Sequence, residues 1–476
     1  MAANYLHGVE TVEVESGSRP ITVVKAGVIG IIGTSAFADF NTPLLITSIK
    51  DADEKLGPAM AEFTLRKHVD LLQKQGGQVT IIAVNVYDED NHLAAVTNEV
   101  CTIVDGKFKL AQQKDPDNNP VVKSFDLVTT YVKDTDYTFD IHGNFVVLNT
   151  DLLETNNTQV KVTYDRHSVS LVNEADVIGG LTAGERTGLR VFDLCRSMFG
   201  FGPKILLAPV FCETQTMVDE LSATANRLRA RAIVDGAMDN FDDAIVGRGP
   251  LGTHNFNTSN RRVALCFPHR SVKFPFSATA ENIGLSTFVA GVWAKQISEK
   301  GIQYGPSNVP MIGAGSTTLV LTGDINDPTG EVNLLNEKGI ISYMSVYGSE
   351  PRTWGNRSAA WPTNTTVDNF LSVLLVADVI DESIEYAMLP YIDLPLNDAL
   401  ITSIKENVNA FLNNLVGRGV VLPGAECIYD PAENPTDELA LGHLTFNDKY
   451  LPPLPAERIT FKRYLATELL ANLGQS

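Results

Sequence analysis

The sequence predicts an α/β, multidomain protein: a doubly wound α/β core with an inserted β-rich domain and a C-terminal α+β domain, plus extended N- and C-terminal arms. Three observations predict this fold class. Unbroken apolar runs alternate with segments of helical periodicity. Short β-like pieces interrupt that alternation in one interval, and helices followed by short strands occupy the last part of the chain. At 476 residues the chain is also too long for one ordinary core.

The first part of the core is predicted to be one βαβ unit. Ala26 to Ser35 is an unbroken apolar run with glycines, which is typical of a strand buried on both faces of a parallel sheet. Apolar residues then recur at helical spacing from Ala59 to Gln75, and the helix should end at Gly76-Gly77. The next strand is predicted from Gln78 to Val86.

The interval from Leu93 to His167 breaks the alternation. It contains the β-like pieces CTIVDG, SFDLVTTYV, NFVVLNT and QVKVTYD, separated by turns rich in Asp, Asn and Pro. We interpret it as a β-rich domain inserted into a loop of the core, because insertions are tolerated where the chain enters and leaves at nearby surface points. The insert is expected to lie on the outer surface and to be dispensable for the core.

The α/β alternation resumes after the insert, and a different pattern follows it. Helices and strands of the core are predicted at Glu185 to Met198 (helix), Lys204 to Val210 (strand), Gln215 to Leu228 (helix), Arg231 to Gly236 (strand), Arg262 to Pro268 (strand) and Asn282 to Lys300 (helix). Beyond Trp354, helices are predicted at Val367 to Tyr386 and Leu396 to Leu415, with strands in CIYD, GHLTFND and RITFKRYL.

These patterns give a predicted domain organisation. In chain order it comprises an N-terminal arm (1–20), the first part of the core (21–92), the inserted β-rich domain (93–168), the second part of the core (169–353), the C-terminal α+β domain (354–456) and a C-terminal arm (457–476).

Composition disfavours several classes of function. The net charge of -20 disfavours nucleic-acid binding, which relies on Lys and Arg to neutralise phosphates. The N-terminus lacks a basic start followed by an apolar run, and no stretch approaches the length that spans a bilayer. We therefore expect synthesis in a cytoplasm, no nucleic-acid partner and no membrane insertion.

Neither a metal nor a cofactor is predicted. The five cysteines are scattered and lack CxxC spacing, so they should be reduced and buried. The eight histidines show no metal-ligand spacing. The segment Asp324 to Gly330 starts like a calcium loop but lacks the remaining ligands, which indicates a turn.

A hydrolytic enzyme is the main alternative that the core suggests. Gly33-Thr34-Ser35-Ala36 resembles the nucleophile turn of subtilisin-like proteases, and Leu251-Gly252-Thr253-His254 resembles their histidine motif. Those triads run Asp, His, Ser along the chain, whereas Ser35 precedes nearly every candidate partner. We therefore predict no catalytic residues.

Several segments in the right order resemble one family of structural proteins. They are Tyr5-Leu6-His7-Gly8-Val9-Glu10, Lys161-Val162-Thr163-Tyr164, Gly305-Pro306-Ser307-Asn308, Leu334 to Ile340, Trp354-Gly355-Asn356-Arg357-Ser358, Asn434-Pro435 through Gly442, and Glu457 to Phe461. Together they resemble the tail sheath family of contractile phages and R-type pyocins. Two departures stand out, because Ser358 replaces a usual threonine and residues Ile341 to Thr353 separate two elements that normally adjoin.

The resemblance implies a mechanical function without a cofactor. It implies self-association as six-fold rings in a helical polymer around an inner tail tube protein, with baseplate and tail terminator proteins as further partners. Contraction would drive the tube through an envelope. The expected location is a virion tail or extracellular particle after synthesis in the bacterial host cytoplasm. An α/β hydrolase-like enzyme, or a non-contractile capsid or baseplate structural protein, is the alternative.

Two sets of contact residues are predicted. Alternating polarity in both arms indicates exchanged strands, with inter-subunit contacts at Val9, Val12, Val14, Ile459, Phe461 and Leu465 and flexible connections near Gly17 and Pro452-Pro453. Because related sheaths grip the tube through the C-terminal domain, the helix from Leu396 to Leu415 is the candidate tube-facing element. Lys405 and Arg418 are its candidate basic contacts to acidic tube groups.

Overall fold

The computed structural model describes residues 21–77, 79–111, 119–140, 143–149, 158–249, 256–345 and 350–472. The arm residues Val9, Val12 and Val14 therefore lie outside the described residues, and so does His254.

The first part of the core contains the predicted βαβ unit and one additional strand. Its elements are β1 (Val28–Gly33), β2 (Pro43–Ile46), α1 (Ile49–Leu56), α2 (Leu65–Lys74) and β3 (Thr80–Asn85). The additional strand, β2, pairs antiparallel with β3. All six residues of β1 and of β3 are buried, as the unbroken apolar runs predict. Helix α1 begins at a capping box in which the Ser48 side chain accepts from the Asp51 amide and the Asp51 side chain accepts from the Ser48 amide.

The interval after β3 folds into two small antiparallel sheets with a core of their own. Its strands are β4 (Leu93–Thr102), β5 (Lys107–Lys109), β6 (Val121–Ser124), β7 (Tyr137–Phe139), β8 (Asn144–Val147) and β9 (Gln159–His167). The sheet orders are β4-β9-β6 and β5-β8-β7, and buried rings such as Phe108 and Phe145 stack between them. The Ser168 amide donates to the His92 carbonyl oxygen at 2.8 Å, so the chain enters and leaves this interval at one point.

The second part of the core adds most of the remaining strands. Its elements are α3 (Glu174–Ile178), β10 (Leu181–Thr182), β11 (Glu185–Arg186), α4 (Cys195–Phe199), β12 (Ile205–Leu207), α5 (Gln215–Leu228), β13 (Arg231–Asp235), α6 (Phe241–Gly247), β14 (Val263–Cys266), β15 (Arg270–Val272), β16 (Glu281–Ile283), α7 (Leu285–Glu299), β17 (Ser316–Thr317), α8 (Glu331–Glu337), β18 (Ile340–Met344) and β19 (Arg352–Trp354).

The helix predicted from Glu185 to Met198 is wrong. A short strand and a 3₁₀ segment, Gly188–Leu194, come before α4. The buried residues Leu189, Phe192 and Cys195 recur every three positions, which suits the three residues per turn of a 3₁₀ helix. A Cβ at Gly188 would lie 2.3 Å from the Val177 carbonyl oxygen, so the close chain approach at the start of this segment requires glycine.

The C-terminal region consists of two long helices and a small ribbon. Its elements are α9 (Leu371–Met388), α10 (Asp398–Gly417), β20 (Glu426–Ile428), α11 (Thr436–Ala440) and β21 (Asn447–Lys449). Both long helices were predicted, and each is shifted toward the C-terminus because Phe370 and the N-cap Asn397 are their last extended residues. The strand predicted in RITFKRYL does not form within the described chain.

An eight-stranded sheet with the order β19-β18-β14-β13-β12-β1-β3-β2 organises the core. The strands from β18 to β3 run parallel, while the edge strands β19 and β2 are antiparallel to their neighbours. The order changes direction between β1 and β12, which defines a doubly wound sheet. The α/β fold class predicted from the sequence is thus confirmed.

Each face of the sheet packs against its own set of helices. Ile29 and Ile31 of β1 belong to the cluster that includes α2, α7 and α9, whereas Val28 and Ile32 belong to the cluster that includes α5. This division follows from the period of two along a strand. A Cβ at Gly30 would lie 2.8 Å from Pro203 Cβ, so close packing explains a glycine within this strand.

Buried ion pairs join α9 to the amino-terminal edge of the sheet. Asp378 pairs with Arg231 at 2.7 Å and accepts a second guanidinium, that of Arg262, at 2.8 Å. One turn later, Glu382 pairs with Lys204. Because these partners precede or begin three successive parallel strands, α9 is fixed to the core by charge as well as by apolar packing.

Candidate assembly surfaces

The C-terminal arm is an exposed chain whose apolar side chains lack cover. The side chains of Ile459, Phe461 and Leu465 are exposed by 72%, 91% and 78%. Residues 457–466 are neither helix nor strand, and a 3₁₀ turn, Thr467–Asn472, follows them. The structure therefore places all three predicted contact residues of this arm on its surface, and large apolar side chains at such exposure mark interaction sites.

A two-stranded ribbon formed by β20 and β21 lies in the same domain, with α10 on its β20 side: the Cys427 amide donates to Asn409 Oδ1 at 2.8 Å, and Asn409 Nδ2 donates to the Cys427 carbonyl oxygen at 3.1 Å. Glu426 pairs with Lys449 and Ile428 pairs with Asn447 in antiparallel register. Both strands are largely exposed. A two-stranded sheet is marginally stable by itself, and its unpaired amides and carbonyls can pair with a further strand.

Helix α10 presents the two candidate basic residues to solvent. Lys405 and Arg418 are both exposed, and the 13 positions between them correspond to about 20 Å along a helix axis. Asp398 and Glu406 are exposed on the same helix. Acidic side chains therefore accompany the basic ones, so this surface is mixed in charge rather than basic.

The connector between α9 and α10 is an exposed apolar surface that sequence reasoning missed. Leu389, Ile392 and Leu394 are exposed by 59%, 61% and 49%. The run LPYIDLPL carries the signal, because it sets apolar residues between prolines and an aspartate in a segment with no helical or strand periodicity. Such a run in a surface connector is typical of a contact surface rather than of core packing.

Ser35 makes structural contacts in this fold. Its side chain is buried and its hydroxyl donates to the Leu56 carbonyl oxygen at 3.4 Å, while its amide donates to Asn85 Oδ1 at 2.8 Å. None of its described partners is a base that could accept the hydroxyl proton, as nucleophilic catalysis requires. The geometry favours a buried serine that connects the end of β1 to its surroundings.

A buried polar cluster at the carboxyl edge of the sheet was also missed by sequence reasoning. Asp235 is the last residue of β13 and accepts from the Ser286 amide at 2.8 Å, so it caps the first turn of α7. The Cys212 thiol lies 4.0 Å from Asp235. Burial and the Asp235 charge raise the pKa of Cys212 well above its usual value, which keeps the sulfur protonated and poorly nucleophilic. The cluster acts as a helix cap despite its position at an edge where α/β enzymes place their sites.

In the part of the chain that the structure describes, no group of three or more His, Cys, Asp and Glu side chains has the arrangement of a metal site. No helix in those ranges combines the length and apolar character that crossing a membrane requires.

Comparisons with known proteins agree along the whole chain. The family described as "Phage tail sheath protein central domain" matches residues 184–359, and "Phage tail sheath C-terminal domain" matches residues 365–466. The chain is 41% identical over 480 residues to the "Tail sheath protein" of Burkholderia phage BcepMu, which covers 99% of both chains. It is 23% identical to the "Tail sheath protein" of Escherichia phage P2, over 100% of this chain and 99% of that one.

Solved structures of two particles share the fold. The anti-feeding prophage helical sheath in its contracted state matches with a TM-score of 0.60 and 14% identity, covering 97% of this chain and 99% of that one. The sheath complex of an extracellular contractile injection system, PVC, in its contracted state matches with a TM-score of 0.58 and 12% identity, covering 98% and 99%.

Proposed function

This chain belongs to the phage tail sheath protein family, and we propose that it polymerises as stacked six-fold rings around an inner tube and contracts to drive that tube through a target envelope. It is a structural sheath subunit of a contractile injection system. The observation that carries the proposal is the C-terminal arm, because its uncovered apolar residues need a partner chain.

Strand exchange between subunits is the proposed use of the arms. The exposed strand β21 of the ribbon is the proposed acceptor, because Asn409 of α10 already bonds the Cys427 backbone on the β20 side, which leaves β21 as the side that a neighbour's arm could pair with. If the arms pair as strands, the alternation of the sequence would put Arg458 and Lys462 on one face of the C-terminal arm, and Glu13 and Glu15 on one face of the N-terminal arm. Cross-strand pairs of opposite charge would add roughly 0.2 to 1 kcal/mol each, less than the backbone pairing itself.

The proposed partners are further copies of this chain, an inner tail tube protein, and baseplate and tail terminator proteins. Two structures of similar fold are those of the anti-feeding prophage helical sheath and of its baseplate, which supports further copies of this chain and baseplate proteins as partners. The proposed location is a virion tail or extracellular particle, with synthesis in the bacterial host cytoplasm.

Electron microscopy of the purified chain tests the proposal. We expect hollow cylinders or rings with six-fold end views at concentrations where the subunits associate. Particles that stay monomeric at every concentration and salt condition would contradict self-assembly. Closed shells would instead support a capsid function.

A serine-directed fluorophosphonate probe tests the enzymatic alternative. We expect no labelling at Ser35, because the hydroxyl is buried and its described partners include no base. Ser35→Ala should assemble like the native chain. Labelling of native protein at Ser35 that disappears in this variant would support hydrolase chemistry.

A further inference from the structure

The root of the C-terminal arm, residues 455–457, lies against the junction between the core and the C-terminal region. A cleft of 480 Å³ is bounded on one side by Pro455, Ala456 and Glu457 and on the other by Trp354 and Arg357. Glu457 is 100 positions from Arg357 in sequence. The start of the C-terminal region, at Arg357, and its end, at Glu457, therefore lie side by side.

One ion pair closes this junction. Arg357 Nη2 and Nε donate to Glu457 Oε2 at 2.6 and 2.9 Å. Arg357 Nη1 also donates to Asn369 Oδ1 at 3.0 Å, which fixes the guanidinium to the segment that precedes α9. The two side chains are only 20% and 33% exposed, so solvent screens the pair less than a fully exposed one.

Two aromatic rings hold the guanidinium in place. Its carbon lies 3.7 Å from the centroid of the Trp361 ring and 4.4 Å from that of Phe370. A planar cation held by aromatic rings and an amide loses little freedom when it binds a carboxylate. The contacts that orient Arg357 toward Glu457 are therefore made by residues outside the arm.

The arm is fixed to the body as far as this pair and is exposed beyond it. The Leu422 amide donates to the Leu451 carbonyl oxygen at 2.9 Å, and Pro452 is buried. Residues 458–465 are all exposed. The point at which the arm becomes free to move thus lies after Glu457, beyond Pro452-Pro453, where the sequence predicts a flexible connection.

We propose that Arg357 is a positioning residue that fixes the direction in which the C-terminal arm leaves the subunit, with the pivot at Arg458. The inference rests on the proposed exchange of arms between subunits. An arm that leaves its subunit in one direction pays less conformational entropy when it reaches a neighbour, so the ion pair favours assembly without touching the neighbour.

Limited trypsin digestion of the full-length monomer tests the clamp without relying on assembly. Cleavage after Arg458 requires the preceding residues, 455–457, to detach from the body, whereas cleavage after Lys462 or Arg463 does not. We expect Glu457→Gln to raise the ratio of Arg458 cleavage to Lys462 and Arg463 cleavage by about two- to five-fold, the range that a partly exposed ion pair allows. Glu438→Gln, which removes an exposed carboxylate paired with His443, is the matched control and should leave the ratio unchanged.

A double-mutant cycle assigns the effect to the pair. Arg357→Gln combined with Glu457→Gln should raise the ratio no further than Arg357→Gln alone, because one interaction is lost in both. An unchanged ratio in Glu457→Gln, or full additivity in the double variant, would overturn the proposal.

Assembly is a separate readout. Glu457→Gln should raise the concentration at which cylinders form by about two- to five-fold with an unchanged melting temperature. Equal assembly by Glu457→Gln and the native chain would overturn the positioning role. If the native chain forms no cylinders, the proposed function fails while the digestion ratio still decides whether the clamp exists.

Discussion

His68 is a buried residue of α2 that faces α7, where its Nδ1 lies 2.8 Å from the Thr287 hydroxyl oxygen. Burial, together with the neighbouring Lys67 charge, lowers the pKa of His68 to about 3. The unfolded chain binds a proton at this position near pH 6.5, whereas the folded chain does not bind it until about pH 3. The folded state therefore loses stability as the pH falls through this window.

Replacing His68 should flatten this acid response. In the native chain, this proton should lower the free energy of unfolding by about 1.4 kcal/mol for each pH unit as the pH falls from 6.5 to 3. We expect His68→Gln to lack this contribution. Urea unfolding at several pH values, with the slope of the variant compared to that of the native chain, measures the difference. An equal slope in His68→Gln and in the native chain would contradict the prediction.

Asp378 is the second residue whose charge the fold depends on. Burial raises the pKa of this carboxyl, but the hydrogen bonds and charges of Arg262 and Arg231 outweigh burial and lower the pKa below 3.8. A lowered carboxyl pKa contributes stability that is present above pH 3.8 and is lost as the pH falls through the folded-state value.

Asp378→Asn should destabilise the chain at neutral pH by roughly 3 to 5 kcal/mol, because two buried guanidinium groups lose their counter-charge. Urea unfolding at pH 7 measures this. Glu385 lies on the same helix as Asp378 and forms an exposed pair with Arg229. Glu385→Gln breaks this pair and should lower the free energy of unfolding by about 1 kcal/mol or less. Similar losses in both variants would contradict a special role for the buried cluster.

At the scale of elements, the inserted β-rich domain is held together by its own core and enters the main body through one strand pair. Leu93 pairs with His167, and Ala94 pairs with Arg166. Tyr87 and His167 form a hydrogen bond at 2.7 Å where the insert meets the core. The contacts at this point should therefore be retained when the rest is removed.

Deleting residues 95–165 and joining Ala94 to Arg166 with an Asn-Gly turn should give a soluble core with a melting temperature within about 5 °C of the native value. The physical reason is that both main core clusters exclude the insert. Circular dichroism and thermal melting measure the outcome. A deletion variant that only aggregates would contradict an independent insert, and a folded isolated fragment 93–167 would support it.

Charge reversal on α10 tests its contact with a tube. Lys405→Glu with Arg418→Glu should weaken co-assembly with the tube while tube-free polymers still form, because both side chains are exposed and neither has a described ion-pair partner in this chain. Co-sedimentation with tubes measures the effect. Reversal of Lys107 and Lys109 on the insert is the matched control, and unchanged co-assembly of the α10 variant would reject the assignment.

The sequence predicted elements well where residues that end a helix coincide with the apolar pattern of its buried face. Helix α5 was predicted with its observed bounds, because Thr214 caps its first turn and Arg229 ends it in a left-handed conformation. The edge strands β2 and β19 were missed because each is only three or four residues long. Arg357 and Glu457 were singled out only as parts of family segments, since nothing local links side chains 100 positions apart.

For the whole molecule, buried ion pairs on α9 join the core to the C-terminal region, so in the proposed assembly we expect the arms to take up movement between subunits. Deleting Met1 to Arg19 should therefore give folded monomers with a normal thermal transition and no polymers. Analytical ultracentrifugation and electron microscopy measure this, with deletion of residues 458–476 as the companion variant. Cylinders formed by either truncated chain would rule out exchange of that arm.

The five cysteines are all buried, and none of them forms a disulfide in the described chain. Burial raises the pKa of Cys101, Cys195 and Cys427 to about 12, and that of the other two well above the usual value. We therefore expect the thiols of the native chain to react poorly with thiol-specific dyes. A single cysteine introduced at Val128, which is 80% exposed on the insert, would carry one dye per subunit, so that the proposed contraction could be tested by fluorescence.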